Sequence, residues 1–179
     1  RQTPQQANAE LDDMGFDYEL KLRDYQKTAI LNVEQAIKDG KERAMVAMAT
    51  GTGKTKTCIA LVYRLLKAER FRRILFLVDR SALGEQATVD FGEVKMESIT
   101  NSFADTFEVL GIEPDKSAKP FPEEDTKVHI ATVQGLVKRI MYPSDNAAKP
   151  GVGQYDCIVV DECHRGYLLD RELSDTEVT

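Results

Sequence analysis

The stretch that decides the fold is Ala49-Thr50-Gly51-Thr52-Gly53-Lys54-Thr55. It follows a short apolar run, residues 44–49, that predicts a buried strand, and it precedes the apolar positions of a helix. Its glycines let the backbone turn so that successive N–H groups point inward, and the helix that begins near Lys54 adds the positive end of its dipole. The stretch therefore predicts a loop that cradles phosphate, in preference to an incidental glycine-rich turn.

Two side chains of this loop suit a magnesium nucleotide. Lys54 is a mobile point charge for the β- and γ-phosphates, and the Thr55 hydroxyl is a magnesium ligand. The general phosphate-loop pattern has a glycine five residues before Gly53, where this chain has Met48. We expect ATP and Mg²⁺ as ligands, with phosphate contacts from the whole loop: Thr50, Gly51, Thr52, Gly53, Lys54 and Thr55.

A second motif follows another apolar run, Cys157 to Val160, and consists of Asp161 and Glu162. Adjacent carboxylates at the end of a buried strand imply a cation or solvent, because burying a charge is costly. In phosphoryl transfer Asp161 would hold magnesium and Glu162 would polarise the attacking water. Such a pair alone is more often a solvated strand end, but the phosphate loop favours catalysis. His164 fits either a relay toward nucleic acid or a structural histidine.

Apolar strands alternate with helices along the chain, which predicts an α/β fold with a mostly parallel sheet and helices on both faces. Strands are expected at 73–79, 127–132 and 157–160, and helices at 24–40, after Lys54, at 81–91 and around 136–140. Ligands of such sheets bind at the carboxyl ends of the strands, where both motifs fall. The regions 111–125 and 144–154 are expected to be surface loops.

Residues 1–20 are polar and acidic without sustained periodicity, so we expect a linker from an upstream domain, with the ATP-binding domain spanning 21–179. The chain starts without methionine, which suggests a piece of a longer protein. The basic residues between 64 and 73 are expected to form the solvated side of a helix and its exit.

Composition narrows the class of protein. Hydrophobic residues make up 42% and charged residues 30% of 179, which is typical of a soluble globular domain. No apolar run approaches the ~20 residues of a membrane span. The net charge of −6 argues against a free-standing DNA-binding module, although a local basic groove stays compatible with it. Three cysteines without paired spacing indicate a reduced, cytoplasmic setting.

Several motifs in order resemble the first RecA-like P-loop NTPase domain of superfamily 2 helicases and translocases. A closer resemblance, from Tyr155 to Leu173, is to the R (restriction) subunit of type I restriction-modification enzymes. The motifs that carry the resemblance are Leu22 to Gln26, Ala49 to Thr55, Phe76 to Arg80, Ala131 to Gln134, and Asp161 to Tyr167.

The resemblance implies roles for further residues. Gln26 would read the adenine edge with Arg23 close by, whereas Arg80, Thr132 and Gln134 would line the track for the DNA backbone. It also implies a motor that pumps double-stranded DNA toward a nuclease, together with modification and specificity subunits. Such motors close a second RecA-like domain of the same chain over the nucleotide, so we expect negligible turnover from this fragment alone.

Two alternatives remain open from the sequence. One is another superfamily 2 member, such as a type III restriction subunit or a repair or RNA helicase. The other is a domain that senses ATP without hydrolysing it, against which the presence of both Lys54 and Glu162 argues.

Overall fold

The computed structural model describes residues 2–79, 81–96, 102–111, 125–141, 151 and 153–163. Four parallel strands form one sheet in the order β2-β3-β1-β4. Their bounds are β1 Ile74–Val78, β2 Val109–Leu110, β3 Val128–Thr132 and β4 Cys157–Val160. The parallel α/β architecture predicted from the alternating pattern is confirmed.

Six helices occur in the described part of the chain. They are α1 Pro4–Asp13, α2 Asp24–Lys38, α3 Lys54–Lys67, α4 Ser81–Glu93, α5 Phe103–Thr106 and α6 Val133–Met141. The predicted helices at 24–40, after Lys54 and at 81–91 agree with α2, α3 and α4. No helix among the described residues is long and apolar enough to cross a membrane.

The core joins the central strands β1 and β3 to helices α3 and α4, with further buried residues from α1 and α2. Phe76 of β1 meets Phe91 of α4 edge-on at 5.3 Å between ring centroids, and Phe91 meets Phe103 at 5.1 Å. All three rings are fully buried, and such edge-to-face pairs add to the hydrophobic stabilisation. This aromatic column fixes α4 and α5 against the sheet.

Parallel register brings the carboxyl ends of the strands to one edge. Val78 is opposite Thr132 and Leu77 is opposite Val160. The backbone N–H of Asp161 donates to the Leu77 carbonyl at 2.9 Å, which continues the ladder one residue past β4. The sheet thereby places the acidic motif beside the carboxyl end of β1.

The predicted strand at 44–49 is wrong. None of the four strands pairs with this segment, Met45 is 84% exposed and Val46 is 43% exposed. An apolar run becomes a strand only when a neighbour supplies ladder hydrogen bonds and a second layer covers it. Without such a pairing, β4 is an edge strand of the described sheet.

The first twenty residues also differ from the prediction, because residues 4–13 form helix α1. Thr3 and Gln6 make a reciprocal capping box, and Pro4 occupies the first turn. Ala7 and Leu11, one turn apart, are buried. Two buried positions are too few to register as periodicity, so the sequence suggested a linker. A further domain upstream stays a prediction.

The remaining differences are smaller. Helix α5 and strand β2 were not predicted, and both are short. The predicted helix around 136–140 is present as α6, but its apolar residues Val137 and Ile140 are 41% and 47% exposed. Residues 112–124, 144–150 and 152, within the two predicted loops, lie outside the described residues.

Candidate functional site: a phosphate loop facing two carboxylates

The predicted phosphate loop contains two glycines in the left-handed conformation. Gly51 has φ 78° and Gly53 has φ 85°, a region in which a side chain is strained. A Cβ on Gly53 would also lie 2.6 Å from Gln26 Nε2, so a side chain there would displace the Gln26 amide. Helix α3 begins at the next residue, Lys54. The turn therefore directs the N-terminal end of α3, with its N–H groups and positive dipole, at the loop.

The acidic motif meets this loop in the folded chain. The Lys54 ammonium forms an ion pair with the Glu162 carboxylate, although 108 positions separate them in sequence. Both side chains are partly exposed, at 24% and 18%. Glu162 has φ 51°, a rare conformation for a residue other than glycine, and its N–H donates to Asp161 Oδ1 at 2.9 Å. Such backbone strain is characteristic of functional sites.

The charges of the site affect the pKa of the Cys58 thiol, which lies one turn into α3. Burial, aided by the Asp161 carboxylate and opposed by the Lys54 ammonium, raises the pKa of this thiol to about 12. A thiol with so high a pKa is inert at neutral pH. The dependence on Asp161 and Lys54 together indicates that both charges lie near the start of α3.

Gln26, the predicted adenine reader, is 3% exposed and contacts the phosphate loop. Its Oε1 accepts from the Arg23 backbone N–H at 2.8 Å. Its Nε2 donates to the Gly53 carbonyl at 3.1 Å, to Thr57 Oγ1 at 3.2 Å and to the Thr52 carbonyl at 3.4 Å. In this geometry Gln26 joins the N-terminal end of α2 to the loop and to α3. Adenine recognition by Gln26 and Arg23 stays a prediction.

Tyr25 also contacts the loop, and the sequence did not predict this contact. Its hydroxyl donates to the Thr52 carbonyl at 2.7 Å, and Arg23 Nη1 donates to the same hydroxyl at 3.4 Å. The signal in the sequence was its position next to Gln26 at the start of an amphipathic helix. Tyr25 and Gln26 together fix the carbonyl of Thr52.

Two of the three predicted DNA-track residues are among the described residues, and both lie at or just after the carboxyl end of β3. Thr132 ends β3, and its hydroxyl accepts from the Gly135 N–H at 3.0 Å, which caps α6. Gln134 is exposed in the first turn of α6. Arg80, and His164 with the sequence after it, lie outside the described residues. Contact with DNA stays a prediction for all three track residues.

Comparison with known proteins decides the family. The family model described as "Type III restriction enzyme, res subunit" matches residues 19–171. The chain belongs to this family. The RecA-like fold expected from the motifs is thereby confirmed, in agreement with the parallel sheet.

Individual relatives of this res-family domain include type I restriction subunits. The chain is 47% identical over 175 residues, 98% of its length, to the type I restriction enzyme EcoKI endonuclease subunit of Escherichia coli K12. It is 32% identical over 80% of its length to the EcoAI endonuclease subunit of Escherichia coli, and 29% identical over 80% to the putative ATP-dependent helicase IRC3 of Saccharomyces cerevisiae. The predicted resemblance to type I restriction subunits is confirmed.

The chain spans only 14%, 16% and 19% of the lengths of these three relatives. The matches support a helicase-like motor domain of a restriction enzyme. What the relatives do as whole proteins applies to this chain only as a proposal.

Proposed function

We propose that this domain binds MgATP at the phosphate loop and hydrolyses it with the carboxylates of Asp161 and Glu162. The observation that carries the proposal is the ion pair between Lys54 and Glu162. It brings a cation suited to γ-phosphate within contact of a carboxylate suited to activating water, on an edge that also holds the left-handed glycine turn. Phosphoryl transfer needs this combination of charge stabilisation and water positioning.

The donor set fits magnesium in its chemistry. Thr55 offers a hydroxyl oxygen and Asp161 a carboxylate oxygen, and hard oxygen ligands are what Mg²⁺ prefers. The ion, when bound, would neutralise phosphate charge. Lys54 would then turn from Glu162 to the phosphate, which leaves Glu162 to orient water. Residues Thr50 to Gly53 would offer backbone N–H groups to the phosphate oxygens. Arg23 and Gln26 would bound the adenine side.

For the full-length protein we propose ATP-dependent translocation of double-stranded DNA by a type I restriction endonuclease subunit in the cytoplasm. The support is the 47% identity to the EcoKI endonuclease subunit. Modification and specificity subunits would be partners, and a second RecA-like domain would close over the nucleotide bound to residues 21–179. Arg80, Thr132 and Gln134 would contact the DNA backbone, and His164 would couple the two sites.

The first test compares two lysine variants of the full-length protein. Lys54→Ala should reduce DNA-dependent ATP hydrolysis at least about 100-fold, because it removes the cation that stabilises the transferred phosphate. Lys56→Ala, which removes the same charge from an exposed position two residues later, should leave turnover within about twofold. Equal turnover in both variants would contradict the proposal.

The second test uses the 179-residue chain alone. Its steady-state ATP hydrolysis should be negligible with or without DNA, while the full-length protein turns ATP over. Robust hydrolysis by the isolated chain would remove the need for a second domain. Binding of MgATP without hydrolysis by the full-length protein would favour a nucleotide sensor.

A further inference from the structure

Arg64 lies on α3, ten positions after Lys54, and its side chain is fully buried. The sequence assigned it to a solvated helix face, which is wrong. Its guanidinium donates to both Glu34 oxygens at 2.5 and 3.0 Å. It also donates to the carbonyls of Leu11, Met14 and Gly15 at 3.1, 3.0 and 2.8 Å, and to the Tyr18 hydroxyl at 3.2 Å.

The partner carboxylate, Glu34 of α2, is 1% exposed. Burial lowers the pKa of Arg64, but the hydrogen bonds to Glu34 and Tyr18 outweigh it, so the pKa is raised and the charge is retained. Phe16 covers the guanidinium, with its ring centroid 4.4 Å from Cζ. A buried ion pair is tolerated when its hydrogen bonds are satisfied and its geometry is bidentate, as here.

Helices α2 and α3 are thus joined at two places. At the front, Gln26 of α2 donates to the Gly53 carbonyl and to Thr57 of α3. At the rear, Arg64 of α3 donates to Glu34 of α2. With a helical rise of 1.5 Å per residue, the rear contact lies about 12 Å along α2 from Gln26. A rigid helix pinned at both ends cannot pivot, so the rear contact determines where Gln26 meets the loop.

The N-terminal segment, residues 4–18, completes the hydrogen bonding of Arg64 at the rear contact. It supplies three carbonyls and one hydroxyl to Arg64, and Asp12 forms an ion pair with Lys38 at the C-terminal end of α2. Tyr18 packs edge-on against Tyr63 of α3 at 5.8 Å between ring centroids. The segment therefore binds both helices that lead to the phosphate loop.

We propose that Arg64 and Glu34 are positioning residues for the phosphate loop: they hold α2 against α3 behind the site and thereby keep Gln26 on Gly53 and Thr57. The role in nucleotide binding rests on the proposed function, whereas the effect on the loop itself does not. Residues 4–18 contribute to this positioning, because they complete the hydrogen bonds of Arg64.

The test measures hydrogen exchange of the peptide spanning 49–57 in the full-length protein without nucleotide. Arg64→Lys keeps the charge but loses the planar fork, so it should speed exchange in this peptide about threefold to tenfold. Phe91→Ala, a large core truncation on α4, is the matched control for general destabilisation. It should lower the melting temperature at least as much, and leave exchange at 49–57 unchanged.

A double-mutant cycle separates positioning from general stability. Arg64→Lys should weaken binding of a fluorescent ADP analogue with Mg²⁺ about threefold to tenfold in the wild-type background, but have no effect in the Gln26→Ala background. Distant residues that act independently give additive effects, so additivity would overturn the proposal. Equal exchange of the 49–57 peptide in wild type and Arg64→Lys would overturn it too.

The outcomes distinguish the two proposals. Faster loop exchange in Arg64→Lys without any binding of the ADP analogue by wild type would retain the positioning role and refute the nucleotide site. Normal binding by wild type with equal loop exchange in Arg64→Lys would do the reverse. Should Arg64→Lys fold poorly, Glu34→Gln tests the same contact from α2, with the same expected faster exchange and the same overturning result.

Discussion

Two cation–glutamate pairs each join two elements of this domain, and they differ in burial. Lys54 and Glu162 join the phosphate loop to the end of β4 with side chains 24% and 18% exposed. Arg64 and Glu34 join α3 to α2 with side chains 0% and 1% exposed. A partly solvated pair exchanges partners at low cost, whereas a buried pair that loses one partner leaves an uncompensated charge. The first pair suits a site where phosphate competes for lysine; the second suits a fixed joint.

The largest expected effect comes from Glu162→Gln. Loss of the base should lower ATP turnover of the full-length protein by about 10²- to 10⁴-fold, with binding of MgADP retained. Steady-state hydrolysis and equilibrium binding measure the two quantities. Glu85→Gln, at an exposed position of α4, is the control and should leave both unchanged. Unchanged turnover in Glu162→Gln would remove Glu162 from its proposed role.

The second effect is on stability, at the buried pair. Arg64→Met leaves Glu34 buried without its partner and should lower the free energy of unfolding by about 3–5 kcal/mol. Urea unfolding of the 179-residue chain gives this value. Arg72→Met makes the same chemical change at an exposed residue and should stay within about 0.5 kcal/mol of wild type. Similar losses in both variants would mean that the burial of Arg64 does not determine stability.

The third effect concerns whether residues 4–18 belong to the joint. Leu11→Ala should cost about 3 kcal/mol, because Leu11 is 1% exposed in the core. Asp13→Ala, two residues later and exposed, should cost almost nothing. Limited proteolysis should cut the Leu11→Ala chain within residues 4–18 faster than it cuts Asp13→Ala. Equal stability of the two variants would restore the linker predicted from the sequence.

The smallest effect is at the solvated pair. Glu162→Gln should tighten MgADP binding about twofold to fivefold at low salt, since it frees Lys54 from an ion pair worth less than about 1 kcal/mol. The gain should shrink as salt rises, because ions screen exposed charges. Titration calorimetry at two salt concentrations checks both points. Weaker binding by the glutamine variant would show that Glu162 helps to hold the nucleotide.

Much of the site was accessible from the sequence. Periodicity predicted α2 and α3, and apolar runs bounded by charge predicted β1, β3 and β4. The glycines at 51 and 53 predicted a turn, and both have positive φ. These features are local, since helix spacing, strand composition and turn chemistry all involve residues a few positions apart. Local patterns are therefore what sequence reasoning recovered.

The same logic explains what was missed. The segment 44–49 has the composition of a strand, but pairing depends on a neighbour, and none of the four strands takes that place. Glu34 follows Gln26 and Ile30 on one stripe of α2, at intervals of four residues, so its position on the buried face was visible. A glutamate there is ordinarily assigned to the helix edge, because isolated charges avoid the interior.

The sequence by itself determined an α/β domain with a glycine turn before α3 and an acidic strand end, because those are patterns of neighbouring residues. Only the tertiary structure decided that Lys54 meets Glu162, 108 positions away. It also decided that Arg64 is buried among groups 30 to 53 positions earlier in the chain. Burial and pairing of charges depend on which distant segments close around them, and that is a property of the folded chain.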